Sequence, residues 1–93
     1  MPNIQYRGNA KYDGFNNRVL FYFTEGDVEF KDIECSIPCK VLQDHFQADY
    51  HNPLPAFGAN EVAIVKIAEK KIMQGQFENN TRTIFIRSED LTP

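Results

Sequence analysis

Residues 18–24 read Arg-Val-Leu-Phe-Tyr-Phe-Thr, a β-branched and aromatic run that favours an extended chain. Alternation puts Val19, Phe21 and Phe23 on one face and Leu20 and Tyr22 on the other, so both faces are apolar. Such a strand is central in its sheet, or its outer face meets a loop or another molecule. The same segment holds the longest uninterrupted apolar run, Val19 to Phe23, far short of the roughly 20 residues a membrane helix needs. With 93 residues in all, one domain spanning residues 1–93 is expected, and no second one.

The neighbouring segments supply partners for this strand. Residues 3–7 alternate with Ile4 and Tyr6 on one face, predicting a short first strand. The Gly- and Asn-rich residues 8–17 then predict a loop, with Tyr12 and Phe15 folding back as lids. Glu25-Gly26-Asp27 predicts a tight hairpin turn. Val28 and Phe30 have one parity and Ile33, Cys35 and Ile37 the other, so a third strand over residues 28–36 should carry a bulge at Lys31-Asp32.

Pro38 suits the first position of a helix. There Val41, Leu42, His45 and Phe46 form one stripe at helical spacing. Two prolines and a glycine in residues 51–58 predict a loop anchored by Leu54 and Phe57. Asn60 as N-cap and Gly75 beyond the end bracket a second helix, with Ile64, Val65, Ala68 and Ile72 inward. Residues 81–87 return as a strand with Ile84 and Ile86 opposite Phe85, and residues 88–93 read as a frayed tail. The order β-β-β-α-α-β predicts a two-layer α+β domain, an antiparallel four-stranded sheet with two helices on one face.

At this point the spacing resembles a family of small bacterial proteins catalogued as domain of unknown function 1488. The resemblance lies in Ile4-Gln5-Tyr6, residues 19–21, Ile33-Glu34-Cys35-Ser36-Ile37, Leu42, Phe57, Ile64, Ala68-Glu69-Lys70, Ile72, Phe77 and residues 84–86. These are mostly core positions, so the resemblance implies the fold and no reaction. Family members look more helical where this chain has Pro53, Pro55 and Gly58.

Reactive groups are sparse. Cys35, Cys39, His45 and His51 lie at short intervals, but only five residues separate Cys39 from His45, where a classical zinc finger has about a dozen. Cys35 shares a face with Ile33 and Ile37, and Cys39 and His45 fall on nearly opposite sides of a helix. Carboxylates show no committed acid-base pair, and the five glycines are scattered rather than clustered into a phosphate loop. No metal, cofactor or catalytic activity is expected. Residues 1–7 lack the pattern of an export signal and two cysteines are too few for a disulfide scaffold, so cytoplasmic residence is expected.

What stands out is the sheet face away from the helices, where Leu20, Tyr22 and Phe85, with Val28 or Phe30, need either the loop of residues 8–17 or a partner over them. The functional expectation is a non-catalytic interaction or accessory module that self-associates as a homodimer through this face or an edge strand. The alternative is a nucleic-acid or regulatory binder using Lys66, Lys70, Lys71, Arg82 and Arg87, against which the formal net charge of −3 argues weakly.

Overall fold

A computed structural model of the chain describes residues 4–26, 31–78 and 81–91. Strands β1 (Ile4–Asp13), β2 (Arg18–Glu25) and β3 (Lys31–Pro38) form an antiparallel meander. Helices α1 (Cys39–Phe46), α2 (Leu54–Ala59) and α3 (Glu61–Met73) follow, and then β4 (Thr83–Phe85) and a 3-10 turn, Ser88–Leu91. The strand order is β1-β2-β3-β4. The α+β class and the central place of residues 18–25 agree with the sequence.

The sheet is mixed, because β4 runs parallel to β3 where an antiparallel partner was expected. A parallel neighbour needs a crossover, and the three helices provide it. The 13 residues of α3 alone carry the chain back by about 20 Å, so β4 starts at the same end of the sheet as β3. The third helix is the short α2, in a segment expected to be loop. Pro53 sits at its N-cap and Pro55 in its first turn, where a missing N–H leaves no intrahelical bond unmade.

β1 departs furthest from expectation. It continues through residues 8–13, leaving only residues 14–17 as the hairpin loop. Its ten residues oppose eight of β2, and the two extra ones enter as register shifts between Tyr6 and Gly8 and between Gly8 and Lys11. Gly8 at φ 75° and Asn9 at φ 58° carry the backbone through these bulges, a conformation Gly and Asn tolerate best. Phe15 is therefore no lid: at the loop tip it is 94% exposed. The loop is closed by the Asp13 carboxylate, which accepts from the backbone N–H groups of Phe15 and Asn16 and from the Arg18 guanidinium at 3.0 Å.

β3 pairs with β2 without interruption from Glu25↔Lys31 to Arg18↔Pro38, so no bulge falls at Lys31-Asp32. The expected hairpin turn at Glu25-Gly26-Asp27 runs into residues 27–30, which lie outside the described residues. The expected strand start at Val28, and the faces of Val28 and Phe30, lie outside the described residues.

The core sits between the inner sheet face and the helices. Val19, Phe21 and Phe23 of β2 and Ile33, Cys35 and Ile37 of β3 meet Leu42, Phe57, Ile64, Ala68 and Ile72, all buried. Phe21 is central, with the Phe57 ring 5.2 Å away and the Tyr6 ring edge-on at 6.2 Å. Of the expected helical stripes, Val65 and Phe46 are half-buried and His45 is exposed, and Leu54 is exposed rather than an anchor.

Two polar ties hold α3 across this core. At its first turn Glu61 accepts from the Tyr6 hydroxyl at 2.6 Å, linking it to β1. Burial, followed by this bond and the Glu61 charge, pushes the Tyr6 phenol well above its ordinary pKa, so it stays a donor. In the last turn Lys71, only 7% exposed, donates to the Phe85 carbonyl and to Asp90, both at 2.8 Å. Burial alone would raise the Asp90 carboxyl. The bonds from Lys71 and the Arg87 backbone N–H, with both side-chain charges, outweigh it and hold the carboxyl below its usual range. The expected frayed tail is thus a latch through Leu91, and residues 92–93 lie outside the described residues.

Candidate functional surface

The buried apolar helical residues Val41, Leu42, Phe57, Ile64, Ala68 and Ile72 join the inner-face core. Among the described residues the outer face of the sheet is lined mainly by the strands' own residues, with Arg87 reaching over Phe85. Register arranges that face in rows. Lys11, Leu20, Ser36 and Phe85 form one row across all four strands. Tyr22, Glu34 and Thr83 form the next, and Gln5, Thr24 and Asp32 a third. Residues 8–13, expected as a cover for this face, are instead part of the sheet.

Leu20, Tyr22 and Phe85 therefore share the outer face as the parity implied. Each is half-buried, and the apolar surface is broken up by charge. The Lys11 ammonium lies 5.8 Å from the Tyr22 ring centre and the Arg87 guanidinium 5.7 Å from that of Phe85, both within cation-π range. Burial, and then the Glu34 carboxylate, push the Tyr22 phenol up, so it presents a neutral hydroxyl at neutral pH. The most exposed large apolar side chains among the described residues, Phe15 and Val62, lie elsewhere.

Toward β1 this face opens into a hollow of about 590 Å³ lined by Arg7, Asn9, Lys11, Tyr22, Thr24 and Asp32. The bulges in β1 shape its wall. Among the described residues the Arg7 guanidinium donates to the Gln5 side chain, at 3.1 Å. Among the described residues neither Arg7, Lys11 nor Asp32 forms an ion pair. Thr24 is 8% exposed, and its hydroxyl is the one enclosed side-chain polar atom among the described residues with no hydrogen-bond partner. The sequence hides this hollow because residues 8–17 read as loop. The signal was present: Gln5, Arg7, Asn9 and Lys11 alternate strictly with less polar neighbours and are all exposed.

The five basic residues of the alternative reading are not one patch. Lys71 is consumed by the latch, and its burial removes it from any surface. Arg82 pairs with Glu25 at 2.7 Å and Arg87 with Glu78. Lys66 and Lys70 are exposed on α3 without an acidic partner among the described residues.

Both cysteines are free and fully buried. Burial, with the Glu34 charge behind it, pushes the Cys35 thiol up to about 12, and burial also raises Cys39, so both are protonated at neutral pH. His45 and His51 are exposed. No group of three or more His, Cys, Asp or Glu side chains converges as metal ligands would among the described residues. No helix among them is long and apolar enough to cross a membrane.

The chain belongs to the family described as "Protein of unknown function (DUF1488)", whose model matches residues 4–85. That span starts with β1 and ends with β4, so it covers the whole sheet and crossover and stops before Asp90 of the latch. No curated protein and no solved structure matches the chain.

Proposed function

We propose that this DUF1488 member is a small non-catalytic interaction module that works through the outer face of its sheet and self-associates there as a homodimer. The observation that carries the reading is the packing of α1, α2 and α3 against the inner face of a four-stranded sheet, which among the described residues leaves Leu20, Tyr22 and Phe85 without a helical layer over them. Charge favours a second copy as the occupant. On this face β1 contributes Arg7 and Lys11, and β3 contributes Asp32 and Glu34. A two-fold axis along β2 would set the cations of one copy against the carboxylates of the other. The buried thiols and scattered histidines supply no activated nucleophile or base, which supports a non-catalytic role, and two free cysteines suit a reducing cytoplasm.

Sedimentation velocity at micromolar concentration tests the proposal. A dimer that dissociates in Leu20→Glu and in Phe85→Glu is expected, while a strict monomer at every concentration overturns it. The second reading, anion contact through the helix, is reduced to Lys66 and Lys70. Nucleic-acid binding that falls steeply with salt and is lost in Lys66→Ala/Lys70→Ala would restore it.

A further inference from the structure

We infer that the hollow beside β1 is a binding site for a small phosphate ester that carries hydroxyl groups. The inference goes beyond the dimer reading and stands apart from it, because a ligand in the hollow takes the Arg7, Lys11 and Asp32 side chains that a face-to-face dimer would pair.

Arg7 and Lys11 stand on one strand, project on the same side and lack a carboxylate partner among the described residues. Asn9 stands between them on β1 and lines the same hollow, and an oxyanion over this wall would accept charge-assisted bonds from the two cations. A phosphate monoester, with up to two negative charges and three terminal oxygens, answers both cations better than a single carboxylate does.

The far wall has the opposite character. Asp32 lies on β3, two strands across from β1, a lateral backbone spacing of about 10 Å, and it is displaced a further four residues along β3 from Ser36, which stands in the Lys11 row. A carboxylate there repels the phosphate end and accepts hydrogen bonds from donors on the remote end of the ligand. The matching molecule therefore has an anionic head and, several ångströms away, hydroxyl donors, as a phosphorylated sugar or polyol does. Between the walls lie Tyr22, neutral and able to donate, and Thr24, whose enclosed hydroxyl lacks a partner. A buried hydroxyl left unpaired is costly, and sites that bind polar ligands are where such groups persist. The hollow, about 590 Å³, lies within the size range of small-molecule sites.

The test is a ¹H–¹⁵N titration of the full chain with ribose 5-phosphate, ribose and inorganic phosphate, run beside sedimentation of the same samples. Ribose 5-phosphate is expected to give saturable shifts centred on Gly8, Tyr22, Thr24 and Asp32. Arg7→Ala and Lys11→Ala each weaken it about tenfold or more. Asp32→Asn weakens ribose 5-phosphate by about three- to tenfold and leaves inorganic phosphate unchanged. Thr24→Val also weakens the ester, while Lys66→Ala/Lys70→Ala changes nothing. Arg7, Lys11 and Asp32 are exposed, and preserved spectra establish that these variants fold.

Absence of saturable shifts overturns the inference, as does equal weakening by Lys66→Ala/Lys70→Ala. Inorganic phosphate that binds as tightly as the ester, with Asp32→Asn silent for both, overturns the hydroxylated-ester assignment. A monomer that binds ribose 5-phosphate upholds the site and refutes the dimer. A dimer that ignores it does the reverse.

Discussion

Replacing Thr24 by Val should make this protein more stable. The Thr24 hydroxyl is enclosed on the outer sheet face and has no partner among the described residues. An uncompensated hydroxyl of this kind costs about 1–3 kcal/mol relative to its hydrated state. Valine keeps the branched outline and the preference for extended backbone, so the ladder to Gln5 and Asp32 is undisturbed. The expected gain is about 1–2 kcal/mol, below the full range because the denatured chain already shields part of the side chain. In a domain of this size each kcal/mol moves the melting temperature by about 4–8 °C, so Thr24→Val should melt about 5–10 °C higher. Thermal melts followed by circular dichroism, with urea titration to verify an unchanged slope, measure it. A variant that melts at or below the parent temperature refutes the reasoning, because the hydroxyl must then have a partner that outweighs the methyl group. Joined to weaker ligand binding, the same substitution would mark Thr24 as a residue kept at the expense of stability.

The remaining predictions concern the two ends of α3. Lys71→Met should cost about 3 kcal/mol in urea titration, since it strands Asp90 in a half-buried setting, and adding Asp90→Asn should recover part of the loss. Additive effects would show that the latch pair is not coupled. Tyr6→Phe removes the bond to Glu61 and should lower stability by about 1–2 kcal/mol, with no change if the hydroxyl is indifferent. Both Asp90 and Asp13 have depressed folded-state pKa values: Asp90 for the reasons given above, Asp13 through bonds from Asn16 and then Arg18. Their stabilisation is complete above the unfolded carboxyl value near 3.8 and disappears as pH falls through the lower folded values. Urea midpoints should hold from pH 7 to about 5 and drop below about pH 4, less steeply in Asp90→Asn.

Much of the fold was legible because it depends on local pattern. The two apolar faces of residues 18–24 placed β2 inside the sheet, and the parity of Ile33, Cys35 and Ile37 gave β3 its inner face. Asn60 and Gly75 bracket α3 as expected, although Asn60 holds the N-cap position without a side-chain bond to α3 and its amide donates instead to the Ala56 carbonyl. What failed depends on summation over distance. The direction of β4 follows from how many helices intervene and which is long, and a three-residue strand carries no signal of direction. β1 was truncated because Gly8 and Asn9 read as loop residues, whereas here they carry bulges. Two one-residue insertions add up to a full pleat, so alternation survives on both sides of them. The hollow was lost with that strand, since three of its six lining residues stand on it. Lys71 was misplaced on the surface because its partner, Asp90, lies 19 residues away in a segment that looked like a tail.

The sheet's margins are poor templates for growth. One is contorted by paired insertions and studded with cations; the other offers only three residues and is followed at once by a helical turn. Open β-margins of that kind discourage strand-by-strand stacking, the usual route by which small sheet proteins form fibrils. Concentrated solutions should therefore yield discrete species and no filaments, and any association should bring broad surfaces together, leaving the ladder itself closed.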